Sequence, residues 1–431
     1  MVLADNRACG KPMTASRRAF LGLTAAGAVI AVGAQGPAIK GGPAHDGLRS
    51  LTGGTQPISA AEHGARLAKV QSLMQQRRTA ALLVESGSTL EYFTGVRWRR
   101  SERTTAALIP ASGQVVVVTP YFEEPSIRET LRVPADLRPW REDESPFELI
   151  AGALPRRSGA AEPLAVEATT RFFIVEQVAR AATPRPEVVP ADELVGGCRM
   201  IKSAAELALM QAANDVTYAA LRHVHGHIEA GMRGSDILAL MVTATGQLGG
   251  EHEFSLVLLN EASAYPHGSL KPQELRAGSV ILIDTGCSVH GYQADISRSW
   301  CSATPRRDSA KYGTRSSAAR RSPSRPPGSA LQSAASTARC APSTRARGGA
   351  GTMGSRACRI APAMALAWTC MSPPNLVRND TTALQAGMCF SDEPGLYIPG
   401  EFGIRLEDCW HMSEAGPKLF TPLARSIDQP L

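Results

Sequence analysis

The chain has 431 residues, 43% apolar and 20% charged. That composition excludes a wholly disordered or fibrous chain and leaves room for two or three cored domains. The formal net charge of +7 is local: residues 302–372 carry twelve Lys/Arg against one acid, and setting that +11 against +7 leaves −4 elsewhere. A basic surface spread over the whole molecule for an anionic partner is therefore excluded, and no nucleic-acid partner is expected.

In chain order, Ser16-Arg17-Arg18-Ala19-Phe20-Leu21 precedes an Ala/Gly-rich apolar run to about Ala34. Paired arginines before a modest apolar stretch are the pattern of a twin-arginine export signal, which predicts a periplasmic or extracytoplasmic protein. The run is too short and glycine-rich for a stable membrane span. Residues 1–40 are read as signal and linker. The nine cysteines are odd in number, irregularly spaced and without a CxxC pair, which fits neither a disulfide framework nor a zinc cluster.

Ala60 to Gln76 has helical apolar spacing, and "TAALIPASGQVVVVTP" reads as two strands joined at a Ser-Gly turn. With "EPLAVEAT" and "PRPEVVP" these elements predict an α/β domain over 59–190. A long helix is expected from Cys198 to Val224, then a second, "SDILALMVTATGQLGG", capped by Ser235. The strands "FSLVLLN", "SVILIDTGCSVHGYQADISRSW", "MCFSDEPGLYIPG" and "GIRLEDCWHM" follow and make 196–431 an α+β domain. Residues 302–372 interrupt it. They are Ser/Ala/Arg/Pro/Gly-rich and without periodicity, so they are read as aberrant, basic and disordered.

Four acids stand out. Asp284 closes the apolar run "VILID", Asp295 lies beyond a turn at 288–291, Glu393 precedes Pro-Gly, and Glu407 follows "GIRL". A carboxylate among apolar strand residues is costly unless it is hydrogen-bonded or holds a metal. Four converging would form a hard, oxygen-rich site for divalent ions, and carboxylates bridging two ions about 3.5 Å apart activate a shared water.

"VILIDTGCSVHGYQADISRSW", "DEPGLYIPG" and "GIRLED", with "YPHG" and "RMIKSAAELALM" upstream, resemble the M24 metallopeptidases of the Xaa-Pro aminopeptidase, prolidase and creatinase group. The resemblance covers about 59–301 and 373–431. It implies an α+β fold: a pita-bread catalytic domain behind a smaller α/β, ribonuclease H-like creatinase N-terminal domain. It also implies a homodimer, two divalent ions (Mn, Co or Zn), and a peptide or dipeptide substrate with proline at the second position. By motif, Asp284 would bind one ion, Asp295 and Glu407 would bridge both, and Glu393 would bind the other and help move a proton. His267 of "YPHG" would contact substrate and stabilise the tetrahedral intermediate, and Arg405 would orient Glu407. His252 and His290 match no motif and are read as surface residues.

The family pattern also needs a histidine in a Gly-His-Gly-Ile-Gly-like segment just before "PPNLVRND", where this chain reads "IAPAMALAWTCMS". A displaced reading frame begins at the third base of the Ile360 codon. Met364-Ala365 then forces glycine and Trp368-Thr369 forces aspartate. The displaced frame permits Arg-Thr-Gly-His-Gly-Ile-Gly-Leu-Asp-Met-His-Glu. Residues 307–316 permit a helix start in the same offset. Residues 302–372 are therefore read as an apparent frameshifted segment. Two competing readings are a creatinase-like, metal-free amidinohydrolase and a non-catalytic pita-bread protein that binds peptides or partners.

Overall fold

The computed structural model describes residues 47–155, 162–302, 364–365, 376, 380–424 and 429–431. The export signal, the linker before residue 47 and nearly all of 302–372 lie outside them, so the disorder read for that segment does too.

Helix α1 (Ala60–Gln76) has the expected bounds. The Ser59 side chain accepts from Glu62 N–H at its start, and His63, Arg66, Val70 and Met74 form its buried face. It precedes β1 (Ala81–Glu85), α2 (Ser88–Thr94), β2 (Ala106–Pro110) and β3 (Val115–Pro120). Next come α3 (Glu124–Thr130), β4 (Ala135–Trp140), α4 (Pro146–Ala151), β5 (Leu164–Val166), α5 (Phe172–Ala181) and β6 (Val188–Pro190). The six strands form one mixed sheet in the order β4-β3-β2-β1-β5-β6. Its central strands are buried on both faces. Leu82, Val84, Ala107, Ile109 and Val117 enter one core, while Ala81, Leu83, Ala106, Leu108 and Val118 enter another. This is why the strands read as continuous apolar runs rather than as an alternation.

The helix expected from Cys198 to Val224 is two helices. One, α6 (Asp192–Arg199), ends there, and α7 (Ala204–His227) starts afresh on a capping box in which Ser203 and Glu206 satisfy each other's backbone N–H. In α8 (Gly234–Gln247), Ser235 is already inside the helix; the Asp236 carboxylate accepts from Arg233 N–H instead, 2.8 Å away.

The catalytic-side strands are β7 (Glu251–Leu259), β8 (Val280–Val289), β9 (Tyr292–Gln293) and β10 (Ile296–Cys301). They are followed by β11 (Met364–Ala365), β12 (Cys389–Asp392), β13 (Gly395–Ile398), β14 (Phe402–Arg405), β15 (Asp408–Ser413) and β16 (Gly416–Leu419). One sheet runs β10-β8-β7 with β9 paired to β8, a second runs β11-β12-β15-β16, and β13 pairs with β14. Ile281 and Ile283 of β8 pack in the same core as Val216 and Ala220 of α7. Two runs expected as single strands are broken at their acids: Glu393 separates β12 from β13, and Glu407 separates β14 from β15. Among the described residues no helix is long and apolar enough to cross a membrane.

Candidate metal centre

Asp284 sits inside β8, not at its end: the strand runs on to Val289. Its cross-strand partners are Leu256 on β7 and Ser297 on β10. Between β8 and β9 the chain reverses through His290 and Gly291, both at positive φ, the geometry of a two-residue hairpin turn. The ribbon after that turn alternates. Tyr292, Ala294 and Ile296 enter the core, and the intervening Asp295 and Ser297 face the other way. Cys409 Sγ donates to Asp295 O at 3.0 Å. Glu407 follows β14, its N–H donating to Ser297 O at 3.0 Å, and its side chain is 2% exposed.

One carboxylate oxygen from each of Asp284, Asp295 and Glu407 lies within 4.8 Å of the others. The Ser297 hydroxyl stands among them, 3.0 Å from Asp284 Oδ1 and 2.8 Å from Glu407 Oε2, and accepts from Arg405 Nε at 2.9 Å. Arg405 also pairs with Asp284 and donates to Tyr397 OH and Pro266 O, each 3.2 Å away. Its direct carboxylate partner is therefore Asp284, which corrects the expectation that it orients Glu407. The reason is the fixed fork of the guanidinium: Nη2 reaches Asp284 while Nε is committed to Ser297.

Burial dominates the electrostatics. It raises the Glu407 carboxyl well above the usual range, the Asp284 and Glu393 charges add to this, and Arg405 and Ser297 oppose it. Burial likewise pushes Glu393 up to about 7, offset by Arg405 and reinforced by Asp284 and Asp392. Negative charge thus accumulates beyond what one guanidinium neutralises, on a donor set of oxygens alone. That is the chemistry of a divalent-cation site, and the residues present fit such an ion.

The family model described as metallopeptidase family M24 matches residues 208–414, and the creatinase/prolidase N-terminal domain model matches 66–201. The chain belongs to the M24 metallopeptidase family. A probable dipeptidase PepE from Mycobacterium tuberculosis is 27% identical over 374 residues, covering 84% of this chain and 95% of that protein. An Xaa-Pro dipeptidase from Lactobacillus helveticus is 24% identical over 362 residues, covering 82% and 96%. The crystal structure of dipeptidase PepE from Mycobacterium ulcerans superposes with a TM-score of 0.74 at 26% identity, covering 85% of this chain and 97% of that one. The M24 chain has the pita-bread catalytic fold behind a creatinase-type N-terminal domain, as the motifs implied.

The structure brings Asp284, Asp295 and Glu407 together, with Glu393 near enough to act on Glu407 electrostatically. His267 is exposed, on the loop whose neighbouring Pro266 carbonyl accepts from Arg405. His290 is exposed and 3.2 Å from Thr55 Oγ1, as expected of a surface residue. His252 is half-buried with its Nδ1 enclosed, opposite Cys287 on β8 and beside a register shift between His252 and Phe254; the surface reading is corrected there. Sequence reasoning missed Ser297, and the signal was available: it lies two residues after Asp295 on a strand and so shares its face. The histidine expected before "PPNLVRND" falls where only β11 is described, and β11 pairs Met364 with Ser391 on β12.

Proposed function

We propose that this M24 peptidase is a metal-dependent aminopeptidase or dipeptidase of the Xaa-Pro type, hydrolysing the bond before proline and impaired in the chain as written. The observation that carries the reading is the convergence of half-buried Asp284 and Asp295 with buried Glu407 on one all-oxygen site. Asp284 would hold one divalent ion, Asp295 and Glu407 would bridge two, and Glu393 would hold the second. Manganese, cobalt or zinc suits the set. Bound ions supply an activated water and a polarised scissile carbonyl. Arg405 fixes the Asp284 oxygens and ties the 265–268 loop to the site. His267 on that loop meets the charge developing on the carbonyl oxygen. Glu393, with its carboxyl raised to about 7, is placed to hold and pass a proton near neutrality. The protein is proposed to be exported by the twin-arginine route to the periplasm and to work as a homodimer.

A second reading, the non-catalytic protein, is favoured by one observation: the Arg405–Asp284 ion pair engages a carboxylate that the first ion would need. The test assays Xaa-Pro and Xaa-Ala dipeptides with Mn2+ and with chelator. It uses this chain and a version in which 302–372 is rebuilt in the displaced frame. Hydrolysis confined to Xaa-Pro, dependent on Mn2+ and much faster in the rebuilt chain, is expected. A rebuilt chain that binds Mn2+ but cleaves neither dipeptide sinks the peptidase reading.

A further inference from the structure

The ribbon that carries Asp295 is anchored far from the carboxylates. Tyr292, three residues before Asp295, is 1% exposed, and its hydroxyl points into a polar cluster inside the core. It donates to Glu206 Oε1 on α7 at 2.9 Å and accepts from Arg66 Nη2 on α1 at 2.9 Å. Glu206 is committed twice: Oε2 accepts from Ser203 N–H in the α7 capping box at 2.9 Å, and Oε1 takes the tyrosine and lies 3.4 Å from Arg66. Arg66 also donates to Glu62 Oε1 at 2.9 Å and to Tyr92 O at 3.2 Å, with its guanidinium 4.2 Å over the Tyr92 ring. All three hub residues are buried, where a hydrogen bond to a charged group is strong and its loss leaves an uncompensated ion.

We infer that Tyr292 is the positioning residue for Asp295, and that Arg66 of the N-terminal α1, acting through Tyr292 and Glu206, sets the roll of the ribbon on which Asp295 is presented. The inference rests on the reading of Asp295 as a bridging ligand. The geometry is a lever. Tyr292 faces the core and Asp295 faces the site, and between them only Gln293 and Ala294 intervene. The ribbon is also held by the two β8–β9 register pairs, by Ala294 N–H donating to Cys287 O at 3.0 Å, by Cys409 at Asp295 O, and by the β10–β8 ladder from Ile296 onward. Backbone bonds of that kind fix the register and height of the ribbon on the sheet. The buried hydroxyl adds a side-chain tie from the ribbon's core face to α7 and α1. Groups that orient a metal ligand without touching the ion typically change affinity ten- to a hundredfold when removed.

The experiment titrates Co2+ into the full chain and into Tyr292→Phe, Arg66→Met and their double variant, following visible absorption, with thermal melts in chelator alongside. Tyr292→Phe keeps the ring and removes only the hydroxyl. The expected result is about tenfold weaker Co2+ binding and an altered absorption envelope in each single variant, with cooperative melts retained and the double variant no weaker than the singles. Arg66→Lys should recover part of the affinity. Wild-type affinity and an unchanged spectrum in Tyr292→Phe, with only a lowered melt, overturn the inference and leave a purely structural tyrosine. Where only the version rebuilt over 302–372 binds Co2+, the variants are read in that background; absence of Co2+ binding by both the parent and the rebuilt chain overturns the metal reading and this inference together, so the two failures are distinguishable.

Discussion

At the level of single residues, Glu407 and Glu393 carry the electrostatic tension of the carboxylate cluster. Glu407 is enclosed, its carboxyl is raised well above the usual range by burial and by Asp284 and Glu393, and Arg405 only partly answers it. Glu407→Gln keeps the shape and removes the ionisable group. In chelator it should melt higher than the parent by a few degrees, roughly 1 kcal/mol of relief. The same variant should lose the stabilisation that Mn2+ gives the parent. A Glu407→Gln protein that melts lower in chelator would show that the carboxylate is already satisfied by Ser297 and Arg405.

Glu393 predicts a pH dependence. Its folded carboxyl titrates at about 7 against a usual 4.5. The folded state therefore holds the proton more tightly than the unfolded chain. That contribution is complete below about pH 4.5 and is lost as pH rises to about 7. Melts in chelator should fall across that window, and Glu393→Gln should flatten the fall. Divalent ions must displace the proton, so their affinity should rise over the same interval. A melting profile in chelator that is level from pH 5 to 7, or rises, would remove Glu393 as the titrating group.

At the scale of elements, β10 does two jobs with alternate residues. Ser297 and Ser299 face the site and β14: Ser299 Oγ donates to Arg405 O at 2.9 Å and accepts from Arg405 N–H at 3.0 Å. Arg298, fully buried, faces the other way and pairs with Asp408 at 2.6 Å. It also donates to Glu407 O at 2.6 Å, Ser297 O at 3.0 Å and Pro422 O at 3.2 Å. This pair holds the start of β15 against β10 and so fixes where Glu407 emerges. Arg298→Leu should cost about 3–5 kcal/mol by urea denaturation, because it leaves Asp408 charged and buried. The double variant Arg298→Met, Asp408→Leu should recover much of that loss; a double variant as unstable as the single would show that the carbonyl contacts dominate.

A glycine sets the second contact of this kind. A Cβ at Gly403 of β14 would collide with the Ser263 backbone carbonyl, and Gly403 N–H donates to Ser263 Oγ at 2.7 Å. The segment leading to His267 is thereby pressed against β14. Gly403→Ala should displace it, lowering stability by about 1–3 kcal/mol in melts and weakening substrate binding more than metal binding. Equal losses in both would place the strain at the carboxylates instead.

For the whole molecule, metal and stability should move together, since an ion bound only by the folded chain adds about 2.7 kcal/mol at a hundredfold excess over its dissociation constant. Mn2+ should raise the melting temperature of the parent and leave Asp295→Asn unchanged. Equal stabilisation of both would mean that the ion binds elsewhere. Rebuilding 302–372 in the displaced frame should enlarge the Mn2+ shift, because the histidine that this frame permits would add a ligand to the carboxylate set.

The sequence by itself determined the bounds of α1, the β2–β3 hairpin and the candidacy of Asp284, Asp295 and Glu407, because each is written locally: a cap, a turn, an apolar period, an acid where acids are costly. What only the tertiary structure decided involves residues distant in the chain. Ser297 became a hub between Asp284 and Glu407, and Arg405 chose Asp284 over Glu407 through the reach of a rigid guanidinium. His252 came to lie half-buried on the inner face of β7, opposite Cys287. Arg66, 226 positions before Tyr292, met its hydroxyl in the core. Local pattern fixes which face a side chain takes; which partner waits on that face depends on packing that brings α1, α7 and β9 together, and no window of sequence contains all three.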